Sequence, residues 1–264
     1  LVNVTPGATT SINIAGEYVV NVTVPAADGN VRGIVIADPC YSSRFVICVF
    51  GDLLHVRDRL QGLFNALGHY DQVDFYSILG DNFYDRDGSI APPFFDSLSD
   101  SMKSKLFVTV PGNHDFWMIG SPWLAQPSTD PNGNGFMQYY GQDVVASIAT
   151  FPYNLSVDPD RENVLDHYDR MPSFANFFFY HHIGVLGFIG FSGAHPLSEM
   201  SLQLQEACLY MQREAVQWVL LVGHWNSAGD GAVLNTTTNY LYHTAVLSLP
   251  GCAELGPKKI KYML

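Results

Sequence analysis

The chain has 264 residues, of which 47% are hydrophobic and only 14% charged, with a formal net charge of -12. That length and apolar content supply one substantial core, with or without a small appendage; the acidic balance argues against nucleic acid and anionic membrane as main partners, and no apolar run reaches the ~20 residues of a membrane span. Residue 1 is Leu rather than Met, so an initiator and either a signal peptide or a larger upstream region are expected ahead of it.

Residues 1–39 read as a β-rich arm, or as the end of a β domain that began upstream. Tyr18, Val20, Val22 and Val24 alternate with Val19, Asn21 and Thr23, the period of a half-buried strand. Pro25 and Asp28-Gly29-Asn30 break the run, and Val31–Ala37 follows, so the spacing predicts a hairpin between these two segments. From residue 40 to residue 264 the pattern changes to strand–helix–strand. Apolar runs at Phe45–Phe50, Val73–Leu79 and Leu106–Val110 read as buried parallel strands, and Leu60, Leu63, Phe64 and Leu67 recur at helical spacing between the first two. Phe94, Leu98 and Met102 predict a helix after the second strand. Such alternation implies a parallel sheet with helices on its faces.

Residues 116–144, rich in Gly, Pro, Asn, Trp and Tyr, lack periodicity; a loop of that length is a functional rim or a mobile segment. Beyond it, Phe177–His181 and Val185–Phe191 predict paired strands around Gly184. Met200, Leu204, Ala207, Cys208, Met211 and Ala215 form one helical stripe, Val216–Val222 a strand, and Lys258–Leu264 another.

Each of the central strands hands over to a polar group: Gly51-Asp52, Gly80-Asp81-Asn82-Phe83-Tyr84, Gly112-Asn113-His114-Asp115 and Gly223-His224. Carboxylates, a phenol, an amide and imidazoles therefore reach the ends of parallel strands, where open α/β sheets place their sites. Hard oxygen donors mixed with imidazole suit first-row metal ions. This order and chemistry resemble the calcineurin-like metallophosphoesterases, and Tyr84, three residues after Asp81, resembles the purple acid phosphatase branch. The resemblance spans about residues 40–264 and implies an α/β fold, a β-sandwich of mixed sheets flanked by helices, here with an N-terminal β-hairpin arm. It implies Asp81 as a bridging carboxylate, Asp52 and Tyr84 as ligands of ferric iron, and Asn113 and His224 as ligands of a divalent ion (Fe, Zn or Mn). His114 would face the substrate and assist the leaving alkoxide. The implied reaction is hydrolysis of phosphomonoesters at a dinuclear site; no base-reading feature points to nucleotides.

Two departures from the family pattern bear on activity. The family's Gly-His-x-His motif is absent from the chain; Lys258–Leu264 resembles the strand that precedes it, so the resemblance implies the motif just beyond Leu264 if the chain is a fragment, and the loss of a ligand from each metal if Leu264 is the end. Asp230 stands near the position of a substrate-facing His, and an anion there repels a phosphate dianion. The alternative reading is therefore a catalytically decayed phosphatase fold serving as an extracellular or surface assembly subunit, without metals, self-assembling through the N-terminal β arm.

Other residues read as structural. His181-His182 belongs to a core strand, His55 to the loop after Asp52, and Trp117 and Trp123 either line a substrate mouth or pack their loop. Four Cys fit two disulfides outside the cytosol: Cys40 with Cys48 and Cys208 with Cys252 is one of three possible connectivities, and buried thiols are the other reading. Asn-x-Ser/Thr sequons at Asn3, Asn21, Asn154 and Asn235 offer N-glycan sites. Together these cues predict a secreted or cell-surface protein.

Overall fold

The computed structural model describes residues 4–39, 55–84, 90–116, 136, 140, 177–193, 197–224 and 239–263. Among them run three sheets. A hairpin of β1 (Thr9–Ile14) and β2 (Tyr18–Thr23) stands as a two-stranded sheet of its own. The second sheet has the order β3 (Gly33–Ile36), β4 (Phe75–Leu79), β5 (Leu106–Val110), all parallel. The third holds β6 (Phe179–Ile183), β7 (Leu186–Gly190), β8 (Trp218–Val222) and β9 (Ile260–Met263), antiparallel between β6 and β7 and parallel thereafter.

The second and third sheets pack face to face. Phe75, Leu79, Val108 and Val110 of one meet Phe179, Ile183, Phe188 and Val222 of the other in a single apolar cluster, with the Phe75 and Phe188 rings 5.0 Å apart edge to face. Side chains alternate across a strand, so Tyr76 and Ile78 point outward instead, onto Phe64 of α1 (Val56–His69), Phe94 of α2 (Ala91–Asp96) and Met102 of α3 (Asp100–Lys103). On the far side, Ile189, Val219 and Leu221 bury against Met200, Leu204, Ala207 and Met211 of α4 (Leu197–Arg213), and against α5 (Asn239–Leu247) and α6 (Cys252–Lys259). The result, among the described residues, is a sandwich of one parallel and one mixed sheet flanked by helices. Every residue of β4 is buried, which explains why it reads as a continuous apolar run rather than an alternating one.

The hairpin differs from the expected pairing. Tyr18–Thr23 pairs with Thr9–Ile14, and the segment expected to be its partner becomes β3, parallel to β4. The reason lies in the side chains: Thr9–Ile14 and Tyr18–Thr23 each mix polar with apolar residues and stay largely exposed, whereas Ile34-Val35-Ile36 is apolar on both faces and suits a sheet covered on both sides. The helix expected around Phe94, Leu98 and Met102 is broken in two. The Ser99 hydroxyl accepts from Met102 N and caps α3, a bond that competes with continuation of the first helix. Phe45–Phe50, the expected first strand, lies outside the described residues; both edges of β4 are occupied by β3 and β5.

Candidate metal centre

Strand ends set the site. Ile36 pairs with Ile78 and Leu79 with Val110, so the residues that follow β3, β4 and β5 leave the sheet along one edge. The third sheet brings β8 to the same edge: the His224 ring, at the end of that strand, donates from Nδ1 to the Leu79 carbonyl at 2.7 Å. This bond aims Nε2 at Asp81 Oδ1, 3.4 Å away, and at Asp38 Oδ1, 3.9 Å away. The Tyr84 hydroxyl donates to Asp38 Oδ1 at 2.9 Å. Asp81 is almost fully buried, His224 and Tyr84 largely so, and the Asp38 side chain is half exposed.

The turn carrying Asp81 and Tyr84 is strained. Gly80, Asp81, Phe83 and Tyr84 all have positive φ (80°, 51°, 62° and 51°), and a non-glycine residue there costs on the order of 1–3 kcal/mol. Two devices hold it. Phe83 is fully buried with its ring 4.5 Å from that of Phe94. Asp115, buried in the 3-10 turn Asn113–Phe116, accepts from Asn82 N at 3.0 Å, Asn82 Nδ2 at 2.8 Å and Gly112 N at 2.6 Å. The loops after β4 and β5 are thereby fastened together, and His114 N donates to Asp81 Oδ1 at 2.8 Å. Glycines make the approach possible. A Cβ on Gly112 would sit 2.2 Å from Asp81 N and Oδ1, and one on Gly80 would sit 2.5 Å from the His224 ring.

Electrostatics follow from this enclosure. For His224, burial by itself favours the neutral ring, but the Asp81 hydrogen bond and charge, with Asp38 behind, outweigh it and raise the pKa to about 9. Burial likewise pushes Asp81 up; the His224 hydrogen bond and charge and the nearby His114 reverse that and leave it below the usual carboxylate range. Asp38 lies above its usual range, through burial and the Asp81 charge against the opposing pull of His224. Burial and the two carboxylates hold the Tyr84 phenol protonated far up the pH scale. Burial and the Asp81 charge lift Asp115 to about 7.

Asp38, Asp81 and His224 each offer a ligand atom within 4.8 Å of the others, and the Tyr84 hydroxyl lies against the same carboxylate. Two carboxylates, an oriented imidazole and a phenol are donors that fit first-row metal ions. The backbone bond to His224 Nδ1 is the outer contact that fixes ring and tautomer for ligation through Nε2.

Of the expected site residues, Asp81, Tyr84, His114 and His224 come together on one rim, with the His114 and Tyr84 rings 4.8 Å apart. Asn113 opens the turn beside Asp81; its side chain, and the whole of Asp52, Trp117, Trp123 and Asp230, lie outside the described residues. Asp38 was not foreseen. Its signal was present: Ile34-Val35-Ile36 followed by Ala37-Asp38 repeats the strand-then-Asp pattern, but without the Gly that marks the other motifs. His55 is exposed at the N-cap of α1, 3.7 Å from Asp58. His182 Nδ1 lies 2.7 Å from Tyr210 Oη and His181 stacks on Phe179, away from the site. Cys208 and Cys252 form the expected disulfide; Cys40 and Cys48 lie outside the described residues. No helix among the described residues is long and apolar enough to cross a membrane.

Among curated proteins no match was found. The sequence profile of the family described as calcineurin-like phosphoesterase matches residues 45–247, which include Asp52, Asp81, Tyr84, Asn113, His114 and His224 but not Asp38. Strand-end carboxylates and an imidazole gathered on one edge of a mixed sandwich, and a profile match over well more than half its length, agree: the chain belongs to the calcineurin-like phosphoesterase family.

Proposed function

We propose that the chain hydrolyses phosphomonoesters in the manner of purple acid phosphatases, outside the cytosol. Metal-dependent hydrolysis of phosphoesters is the chemistry that membership of the family suggests. The observation that carries the finer reading is Tyr84: its hydroxyl reaches the Asp38 carboxylate at 2.9 Å, beside Asp81. Burial and two carboxylates oppose ionisation of that phenol, so only a strongly charged hard cation would draw off its proton, which favours ferric iron over a divalent ion in that position.

In this reading Asp81, Tyr84 and a first carboxylate would hold iron, and Asn113 and His224 would hold a divalent ion (Fe, Zn or Mn). Asp38 is the first carboxylate that the geometry supports, Asp52 the one the family profile covers. When bound, such ions neutralise phosphoryl oxygens and activate water. The protein's own part is orientation and proton transfer. His114, with its backbone tied to Asp81 and its ring beside Tyr84, would donate a proton to the leaving ester oxygen.

The test is colour and turnover together. Iron-loaded protein should show a visible charge-transfer band that Tyr84→Phe bleaches, and should release phosphate from a chromogenic monoester with iron plus zinc or manganese. A colourless iron-loaded protein without turnover between acidic and neutral pH would overturn the proposal. Metal content of Asp38→Ala against Asp52→Ala identifies the first carboxylate.

One observation favours a second reading, a surface assembly subunit. The β1–β2 hairpin pairs with no other strand among the described residues, and Ile14, Tyr18 and Val19 on it are exposed. An inactive, metal-free protein whose oligomers dissociate on Ile14→Ser with Tyr18→Ser would support that reading.

A further inference from the structure

We propose that Asn21 carries an N-linked glycan, on the polar face of the N-terminal hairpin. The sequence there is Asn21-Val22-Thr23, the acceptor pattern for this modification. The pattern alone is weak, and the structure supplies what it lacks. Residues two apart on a strand share a face, and Asn21 and Thr23 are both exposed in β2 while Val20 and Val22 between and beside them are half-buried. Across the hairpin, Asn21 pairs with Ser11 and Thr23 with Thr9, so the acceptor amide and its hydroxyl stand in a polar row.

Hydrogen bonding leaves the reacting atom available. Ser11 Oγ donates to Asn21 Oδ1 at 2.6 Å, and the Thr9 and Thr23 hydroxyls lie 2.8 Å apart. Asn21 Nδ2, the atom that bonds the sugar, makes no hydrogen bond among the described residues. The hairpin pairs with no other strand there, and Thr9, Ser11, Asn21 and Thr23 on this face are all exposed. Its one large apolar side chain is Val19, 65% exposed and two residues from Asn21, which a sugar at Asn21 would shelter. The sequons at Asn3, Asn154 and Asn235 lie outside the described residues.

A second feature, distant and independent, points to the same compartment. Cys208 and Cys252 form a disulfide between α4 and α6 with neither residue exposed. Disulfides persist in oxidising surroundings, the secretory route among them, and are rare in the cytosol. The transfer itself balances with one named co-reactant, a lipid-pyrophosphate-linked oligosaccharide. The bond formed joins Asn21 Nδ2 to C1 of the first sugar. The bond broken is C1–O to the pyrophosphate, which leaves with the electron pair, and the displaced amide proton passes to a base of the transferase. This inference is independent of the proposed hydrolysis, and an inactive protein could carry the glycan equally well.

The full-length protein is isolated from the cells that make it and treated in heavy-oxygen water with an amidase that removes N-glycans. Occupied asparagine is converted to labelled aspartate by that treatment. The expected result is a peptide with labelled Asp at position 21, from protein whose Cys208–Cys252 bond is oxidised. Asn21→Gln should remove one glycan's step in gel mobility. Thr23→Ala should remove the same step and Thr23→Ser retain it, which separates loss of the acceptor from loss of the fold. Recovery of unlabelled Asn at position 21, whether the two cysteines are bonded or free, overturns the proposal.

Discussion

Loading the centre with a divalent ion should release a proton from His224, and apparent affinity should climb steeply with pH. His224 Nε2 lies 3.4 Å from Asp81 Oδ1 and 3.9 Å from Asp38 Oδ1, and the ring keeps its proton up to about pH 9. A ligand imidazole must be neutral. At pH 7 the proton is therefore taken from a group whose pKa lies two units higher, which costs about 2.7 kcal/mol, or roughly a hundredfold in apparent affinity. Between pH 6 and 8 each unit of pH should strengthen binding by about tenfold, with a plateau beyond pH 9. Titration calorimetry with zinc in two buffers of different ionisation enthalpy counts the protons. About one should appear per site, from His224, while Tyr84 keeps its proton against a divalent ion. Affinity that is flat from pH 6 to 8, with no proton released, would refute the reasoning. The same ion pair governs the metal-free protein. Its folded pKa of about 9 lies above the ordinary 6.5, so its contribution of about 3 kcal/mol is fully present below pH 6.5 and disappears as pH rises through 9.

Three further perturbations test the packing that supports the site. Gly112→Ala places a Cβ 2.2 Å from Asp81 N and Oδ1; urea denaturation should show a loss of about 1–3 kcal/mol, and metal uptake should fall with it. Replacing both Cys208 and Cys252 by Ser opens a cross-link over a sequence separation of 44. The chain-entropy estimate for such a loop is about 4 kcal/mol, and a loss under about 1 kcal/mol would show that the unfolded chain is not what the bond restrains. Ser77 projects its hydroxyl into the buried region between the sheets with no hydrogen-bond partner among the described residues. Ser77→Ala should leave stability unchanged or raise it by up to about 1 kcal/mol, measured by the same denaturation; a clear loss would reveal a partner for the hydroxyl.

Much of the frame was legible in the sequence because its causes are local. Leu106–Val110 is a strand with the expected bounds, and the stripe from Met200 to Met211 is the buried face of one helix, since both follow from side-chain period alone. Asp81, Tyr84, His114 and His224 could be singled out because each closes such a run. The pairing of strands was not local. Residues 31–37 have the length and branching of a hairpin strand, and only the register against β4, Ile36 to Ile78, sets Asp38 beside Asp81. Nor could spacing show that the ring of His224 would bond Leu79 O from the opposite sheet, 145 residues away, or that Asp115 would be enclosed and bind the amides of both loops. The sequence by itself determined the elements and the groups at their ends. Which carboxylate meets the imidazole, and with what charge, was decided by the packing of the two sheets, because contacts between distant residues and the burial that shifts their protons exist only once the chain is folded.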